Sequence, residues 1–439
     1  MMNIAQSLSR MTLALVLVVA TALPGLAQAP AQGKPAPTAP APDDLHALWK
    51  AYVTPLLTRP IPTESQPAYY AGEMLQVPLH GAFQRKDDEW IQEFADHLKR
   101  MMEARSSLTD VDTSRLQYLY IASEFMVLAS RSGKANLIPP GMPEFLYSDV
   151  QNFWERKPAW MWDRGPFPGG MRERLLWKLN TRDVRKSYYR AVLDADFYLF
   201  GIAADLRAYH QLDAQPDHRK LLNDVLTLAD RVCHQEIKPT DSGGWVLQPG
   251  VWRDHPDFKF AGRTSPQQGM SPAPVSDITW DSSHFMRWPP IITSLMNAYA
   301  DGSSEHQYYA RLRDGLNTQF FSKIVAPPSA DFPCYRMTNY STGANGLYRW
   351  NYSNIGENSG YPPYKVSGAL LIGWWGFLDS DQSRAMYKKM ADTWPWPQEC
   401  VDLYMGPVTK GRQFTAAEKS PTSTAMKFRY LLVRLASEL

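Results

Sequence analysis

The chain has 439 residues, with 46 Lys and Arg against 44 Asp and Glu, and the resulting net charge of +2 is too small to imply a nucleic-acid partner. A modestly basic chain can still concentrate positive charge in one cleft and so receive an acidic polymer. Its three cysteines, Cys233, Cys334 and Cys400, lack metal-ligand spacing, which argues against a structural zinc site and leaves one disulfide with an odd thiol, or no disulfide.

The amino terminus reads as a secretory signal over residues 1–27: Arg10 supplies the positive start, Leu13 to Leu23 the apolar stretch and Gly25-Leu26-Ala27 the small-residue cleavage site. No other run of about twenty apolar residues follows, so the mature protein is expected to be periplasmic or secreted, with no membrane partner once the signal is removed. Residues 28–42 are almost wholly Ala, Pro and Gln, a composition that buries no core and reads as a tether. Residues 43–439 are then expected to form one domain, ample for a large core.

Within that domain the hydrophobic period is helical almost throughout. Asp88 to Arg105 carries Trp90, Ile91, Phe94, Leu98, Met101 and Met102 in a single stripe, and Thr113 to Ser130 repeats the pattern. Further helices are predicted over Thr181 to Leu212, His218 to Glu236, Pro289 to Ala300, Glu305 to Phe321, Val366 to Leu378, Asp381 to Thr393 and Thr422 to Ser437. Alternating strand-like patterns are scarce and no fixed-period repeat is visible. The expected class is all-α, with amphipathic helices paired as hairpins in an (α/α)n toroid and at most minor β elements. The loops at one end of such a ring line a cleft.

Three loops are too long or too decorated to be plain connections. Met161 to Gly170 has hinge glycines and a bulky tip, as a lid would. Asp241 to Gly269 and Asp331 to Tyr364 are the other two, and the latter holds Tyr348, Arg349, Asn351, Tyr352, Glu357, Tyr361 and Tyr364. Fifteen tryptophans and twenty-two tyrosines serve either as core or as sugar-stacking surfaces. Trp160-Met-Trp162 and Trp394-Pro-Trp396 lie off the helical stretches, which favours a groove for both.

The densest chemistry is Trp280-Asp-Ser-Ser-His-Phe-Met-Arg-Trp288, which puts His284, Arg287 and Trp288 where a helix begins. A helix N-terminus welcomes an anion and disfavours imidazolium, which keeps a histidine usable as a base. Asp281-Ser-Ser-His284 with its following apolar helix resembles the Asp-Asn-Asn-His helix of α/α-toroid alginate lyases. Tyr364-Lys-Val-Ser-Gly-Ala-Leu-Leu resembles the later helix of that family, which opens with a catalytic tyrosine. The likeness covers two short stretches, about thirty residues in all, and departs where the family's carboxylate-neutralising asparagines are Ser282 and Ser283. It implies a related polysaccharide lyase acting on alginate or a glucuronan without metal or other cofactor.

β-Elimination of a uronide needs relief of the carboxylate charge, a base for the C5 proton and an acid for the leaving oxygen. Arg287, Arg349 and Asn351 suit the first need, His284 the second, and Tyr364, with Tyr352 and Tyr361 as alternatives, the third. Tyr348, Trp288, Trp162 and Glu357 complete the expected substrate-binding set. Two other readings stay open. An inverting glycoside hydrolase would draw a carboxylate pair from Asp163, Asp277, Asp281 and Glu357, although Asp281 also fits a plain helix N-cap. A non-catalytic glycan-binding protein would explain the aromatics but not the grouping of His, Arg and Tyr.

Overall fold

The computed structural model describes residues 44–162, 165–213 and 219–439, so the signal-like segment and the tether lie outside the described residues. In chain order the helices are α1 Leu45–Tyr52, α2 Thr54–Thr58, α3 Ser65–Met74, α4 Gln76–Gln84, α5 Asp88–Glu103, α6 Asp112–Arg131, α7 Met142–Gln151, α8 Gly170–Asn180, α9 Asp194–Asp213, α10 Arg219–Glu236, α11 Ser282–Phe285, α12 Trp288–Asn297, α13 Ser304–Gln319, α14 Asp381–Asp392, α15 Gln398–Tyr404 and α16 Thr424–Ala436. The only sheets among the described residues are two antiparallel ribbons, Ile237–Pro239 with Trp245–Leu247 and Val325–Ala326 with Arg336–Met337. The fold is all-α.

Local chemistry explains most boundaries. Asp87 caps α5 by accepting from Trp90 N at 3.1 Å, and the apolar stripe behind it buries Trp90 against Trp49, the two rings stacked 4.0 Å apart. The expected helix over Thr181 to Leu212 begins only at Asp194. Its first dozen residues are diverted because Asp254 takes the Ser187 N–H, at 3.0 and 3.1 Å, and Gln248 takes the Val192 N–H at 2.9 Å. The expected single helix over Val366 to Leu378 is instead two 3-10 stretches, Ser367–Ile372 and Trp374–Leu378. They break at Gly373, whose φ of +89° is left-handed and where a Cβ would stand 3.0 Å from Ala436 Cβ.

Packing follows a regular succession. Helix α6 lies between α3 and α9, α9 meets α12, and α12 meets the Trp374–Leu378 stretch. That stretch touches α16, which packs on α4, and α4 returns to α6. Helix α6 is buried on nearly every side, so its inward polar groups must be satisfied within the protein. Glu124 accepts from Tyr120 at 2.7 Å and Ser294 at 2.6 Å and holds His80 at 2.5 Å, while Ser123 donates to Asp205 at 2.6 Å. Helices α4, α6, α9 and α12 are thereby tied together by polar as well as apolar contact.

Of the cysteines, Cys334 and Cys400 form a disulfide joining the loop 331–364 to α15, and Cys233 is a buried thiol. No helix among the described residues is long and apolar enough to cross a membrane.

Candidate functional site

The turn that opens α11 is organised by Asp281. Its Oδ1 accepts the His284 N–H at 3.2 Å, as an N-cap does, and also the Ser283 hydroxyl. Its Oδ2 accepts from His284 Nδ1 at 2.7 Å and from the Tyr348 hydroxyl at 3.1 Å. Burial alone would push this carboxyl up. The His284 ring, the Ser283 hydroxyl and the Arg349 guanidinium outweigh it and hold the group well below the usual carboxylate range. With the Nδ1 proton donated to Asp281, the lone pair of His284 sits on Nε2, and that atom has no hydrogen-bond partner.

The loop 331–364 is packed onto this turn by two asparagines. Asn339 O accepts the Ser282 N–H at 3.0 Å, while its Nδ2 donates to the carbonyls of Gly346 (2.8 Å), Tyr361 (3.0 Å) and Pro362 (2.9 Å). Asn345 Oδ1 accepts from Asn339 N at 3.1 Å and Tyr364 N at 2.9 Å. Two hydrogen bonds to Asn345 and one to Ser282 therefore connect the Tyr364 backbone to the His284 turn. Arg349, Asn351, Asn358 and Tyr364 have φ of +53°, +53°, +52° and +66°, a left-handed conformation that asparagine adopts readily but that is costly for Arg349 and Tyr364. Such strain gathers where function constrains the backbone.

Sequence reasoning missed two residues of this centre, His255 and Asp257. Asp257 accepts from Arg349 Nε at 2.7 Å, and its carbonyl takes the Arg349 N–H at 2.8 Å. His255 Nδ1 accepts the Asp257 N–H at 3.2 Å, which leaves the ring proton on Nε2. Burial, with repulsion from Arg349, holds the His255 imidazole pKa below its ordinary value against the pull of Asp257 and Asp254. The only sequence signal for either residue was the unusual length of the loop 241–269. Trp162 meets His255 at 5.8 Å and Trp252 at 6.0 Å, Trp252 meets Trp280 at 5.2 Å, and Trp280 meets His284 at 6.5 Å, all between ring centroids. An aromatic run thus connects the 161–170 loop to the histidine.

The remaining expected residues are dispersed. Tyr348 is buried, and burial, reinforced by Asp281 and Asp257 and opposed by Arg349, lifts its hydroxyl well above the usual tyrosine range. Tyr352 is half-buried, its ring 6.0 Å from the Arg349 guanidinium. Tyr361 is buried and exchanges both backbone hydrogen bonds with Tyr348, at 2.8 and 3.0 Å. Tyr364 does not open a regular α-helix; it is half-buried under the Arg336 guanidinium, 4.6 Å from its ring centre. Asn351 is exposed, and its Oδ1 accepts the Asn358 N–H at 2.5 Å, closing a turn. Glu357 and Asp277 are exposed, and Asp163 lies outside the described residues.

Two aromatic assignments are corrected. Trp288 packs against Phe197 at 4.7 Å and Trp245 at 5.5 Å and is fully buried, so it offers no face to a sugar. Trp394 stacks on Tyr430 at 4.7 Å and Trp396 is buried, its Nε1 donating to Met390 O at 2.9 Å; this pair is core.

Arg287 stands apart from the histidine in its contacts. Its Nε donates to the Tyr198 hydroxyl at 2.9 Å, its Nη2 donates to the Tyr69 hydroxyl, and its Nη1 lies 3.7 Å from Asp194 Oδ1. Arg287 is three residues past His284, so the segment 281–288 presents two polar centres, one on each part of the turn. Among the described residues no group of three or more His, Cys, Asp or Glu is arranged to hold a metal ion. No protein-family model matches the chain, and no curated protein matches it significantly.

Proposed function

We propose that this chain is a polysaccharide lyase that cleaves a uronic-acid polymer, alginate or a glucuronan, by β-elimination, and that its helical succession is an α/α toroid with the loops 161–170, 241–269 and 331–364 around the cleft. The observation that carries the reading is His284: Asp281 holds its Nδ1, its Nε2 is unbonded, and the Tyr- and Arg-rich loop packs directly on its turn. In the elimination, His284 Nε2 accepts the C5 proton, with Asp281 stabilising the imidazolium that forms. Tyr364 donates to the leaving oxygen, its side chain set by a strained backbone. Arg349, fixed by Asp257, holds Tyr348 and Tyr352 in place.

The disulfide in the site loop fits an exported protein, since such bonds persist in oxidising compartments. The hydrolase alternative is weaker, because Asp281 is held ionised with four hydrogen bonds, and Asp277 and Glu357 are exposed rather than set together in a buried carboxyl pair. The test compares polyuronates with neutral glucans. Lyase action yields products with a C4–C5 double bond conjugated to the carboxylate, which absorb in the ultraviolet; hydrolysis yields reducing ends without that absorbance.

A further inference from the structure

The loop 331–364 carries a second arginine, Arg336, whose state differs from those of Arg287 and Arg349. Arg287 is buried among Tyr69, Tyr198 and Asp194, and Arg349 is buried and held by Asp257. Arg336 is half-buried, so part of it meets solvent. Its guanidinium lies over the ring of Tyr364, at 4.6 Å, and over that of Phe332, at 5.1 Å, and both of these residues are half-buried as well. The Nε of Arg336 is enclosed without a hydrogen-bond partner, and no carboxylate among the described residues pairs with its guanidinium. Lys365, next to Tyr364, is already engaged, its Nζ donating to Asp402 O at 2.9 Å.

The backbone fixes this arrangement. Arg336 stands opposite Ala326 in its ribbon, two residues after Cys334, which is bridged to Cys400. The next residue, Met337, donates its N–H to Ser367 Oγ at 2.8 Å, and the same hydroxyl donates to Tyr364 O. One serine therefore joins the strand of Arg336 to the backbone of Tyr364. A planar fork held over aromatic rings keeps its in-plane N–H donors for an acceptor, and a carboxylate matches that fork with two parallel hydrogen bonds. A partly desolvated cation without a counter-charge is costly, and an incoming anion relieves that cost.

We infer that Arg336 binds the carboxylate of the sugar on the leaving side of the scissile bond, so that the substrate carries two successive uronic acids. This deepens the lyase reading and rests on it for the direction of the sugar chain. There His284 acts at C5 and Tyr364 at the leaving oxygen. The ring contacts of Arg336 are with Tyr364 and Phe332 and not with the Asp281–His284 turn, so it stands beside the sugar that departs with that oxygen. A polymer of consecutive uronates satisfies this requirement. A chain in which uronic acid alternates with a neutral sugar does not.

The test combines initial rates on a glucuronan, read by ultraviolet absorbance, with calorimetric titration of the His284→Gln chain by tetraglucuronate and by cellotetraose. Arg336→Gln should raise KM by roughly tenfold or more, the worth of a charge-assisted hydrogen bond. Its kcat should change by a few-fold at most, because a carboxylate on the sugar that is not deprotonated contributes equally to ground and transition states. Added salt should raise the KM of the parent more steeply than that of Arg336→Gln, since a half-exposed charge is screened. Arg336→Lys, which keeps the charge and loses the fork, should fall between the two. Tetraglucuronate should bind and cellotetraose should not, and adding Arg336→Gln should weaken the binding by a factor similar to the change in KM. An unchanged KM, a kcat that falls as far as KM rises, equal salt slopes, or Arg336→Lys no better than Arg336→Gln would overturn the assignment. Tetraglucuronate binding that depends on Arg336, without cleavage of any polyuronate by the parent, would leave an anion site and remove the lyase. Cleavage with a normal KM in Arg336→Gln would do the reverse.

Discussion

At the scale of single residues, Asp281 does two jobs with one carboxylate. It caps α11, and it fixes the ring and tautomer of His284. Asp281→Asn preserves the shape but can donate its amide protons towards Nδ1, which favours the opposite tautomer. The expected outcome is a loss of turnover of about 10²–10⁴-fold, the range for general acid–base help, with His284→Gln losing at least as much. Steady-state kinetics with a far-UV spectrum of each variant checks this, and near-normal turnover in both would remove His284 from the mechanism. Stability has its own signature. A carboxyl depressed in the folded state stabilises above its unfolded pKa, near 4, and that contribution is lost as pH falls through the folded value. Acid unfolding of Asp281→Asn should therefore show a shallower dependence on pH below about 4 than the parent. His284 and Asp281 were legible in the sequence because a capped turn, a histidine and an apolar helix are local in the chain. His255 and Asp257 were not, because their partner Arg349 is 92 residues away from Asp257.

At the scale of elements, α8 and α9 are joined by a buried ionic cluster in which Asp196 faces Arg174 and Lys178 at 3.4 Å. Burial pulls Lys178 down to about 7, against the attraction of Asp196 and with the repulsion of Arg174. The folded pKa is below the unfolded one, so the unfolded chain holds more protons between about pH 7 and 10 and stability rises with pH across that window. Lys178→Met should flatten this rise, as read by denaturant midpoints at pH 7 and pH 9.5; an unchanged slope would contradict the placement. The site loop offers a sharper steric test. A Cβ on Gly346 would lie 1.6 Å from Ala261 O, so Gly346→Ala must push the loop 331–364 off the loop 241–269. Activity should fall much more than the melting temperature of the helical core. Helices with a one-sided apolar stripe, such as α5 and α10, were readable from periodicity. Helix α4 was not, because seven of its nine residues are buried and two faces that are both apolar leave no period. The helix expected from Thr181 failed for a different reason, since side chains of the loop 241–269 captured its backbone donors.

At the scale of the molecule, one apolar cluster runs from Leu45 to Ala436, so the strained loops rest on a large rigid core. The Cys334–Cys400 bridge, which closes a separation of 66 residues, clips the start of the site loop to α15. Reducing it frees the unfolded chain and should lower stability by about 2–4 kcal/mol, with the loop 331–364 loosened first. A melting temperature insensitive to reductant would contradict that role. The proposed chemistry is elimination at a uronide. The most direct measurement is the ultraviolet absorbance of reaction mixtures containing the full chain and alginate or a glucuronan, run beside a neutral glucan. Elimination predicts a steady rise with the polyuronate only, abolished in His284→Gln and Tyr364→Phe and retained in Tyr352→Phe. New reducing ends without absorbance, or cleavage of the neutral glucan, would contradict it.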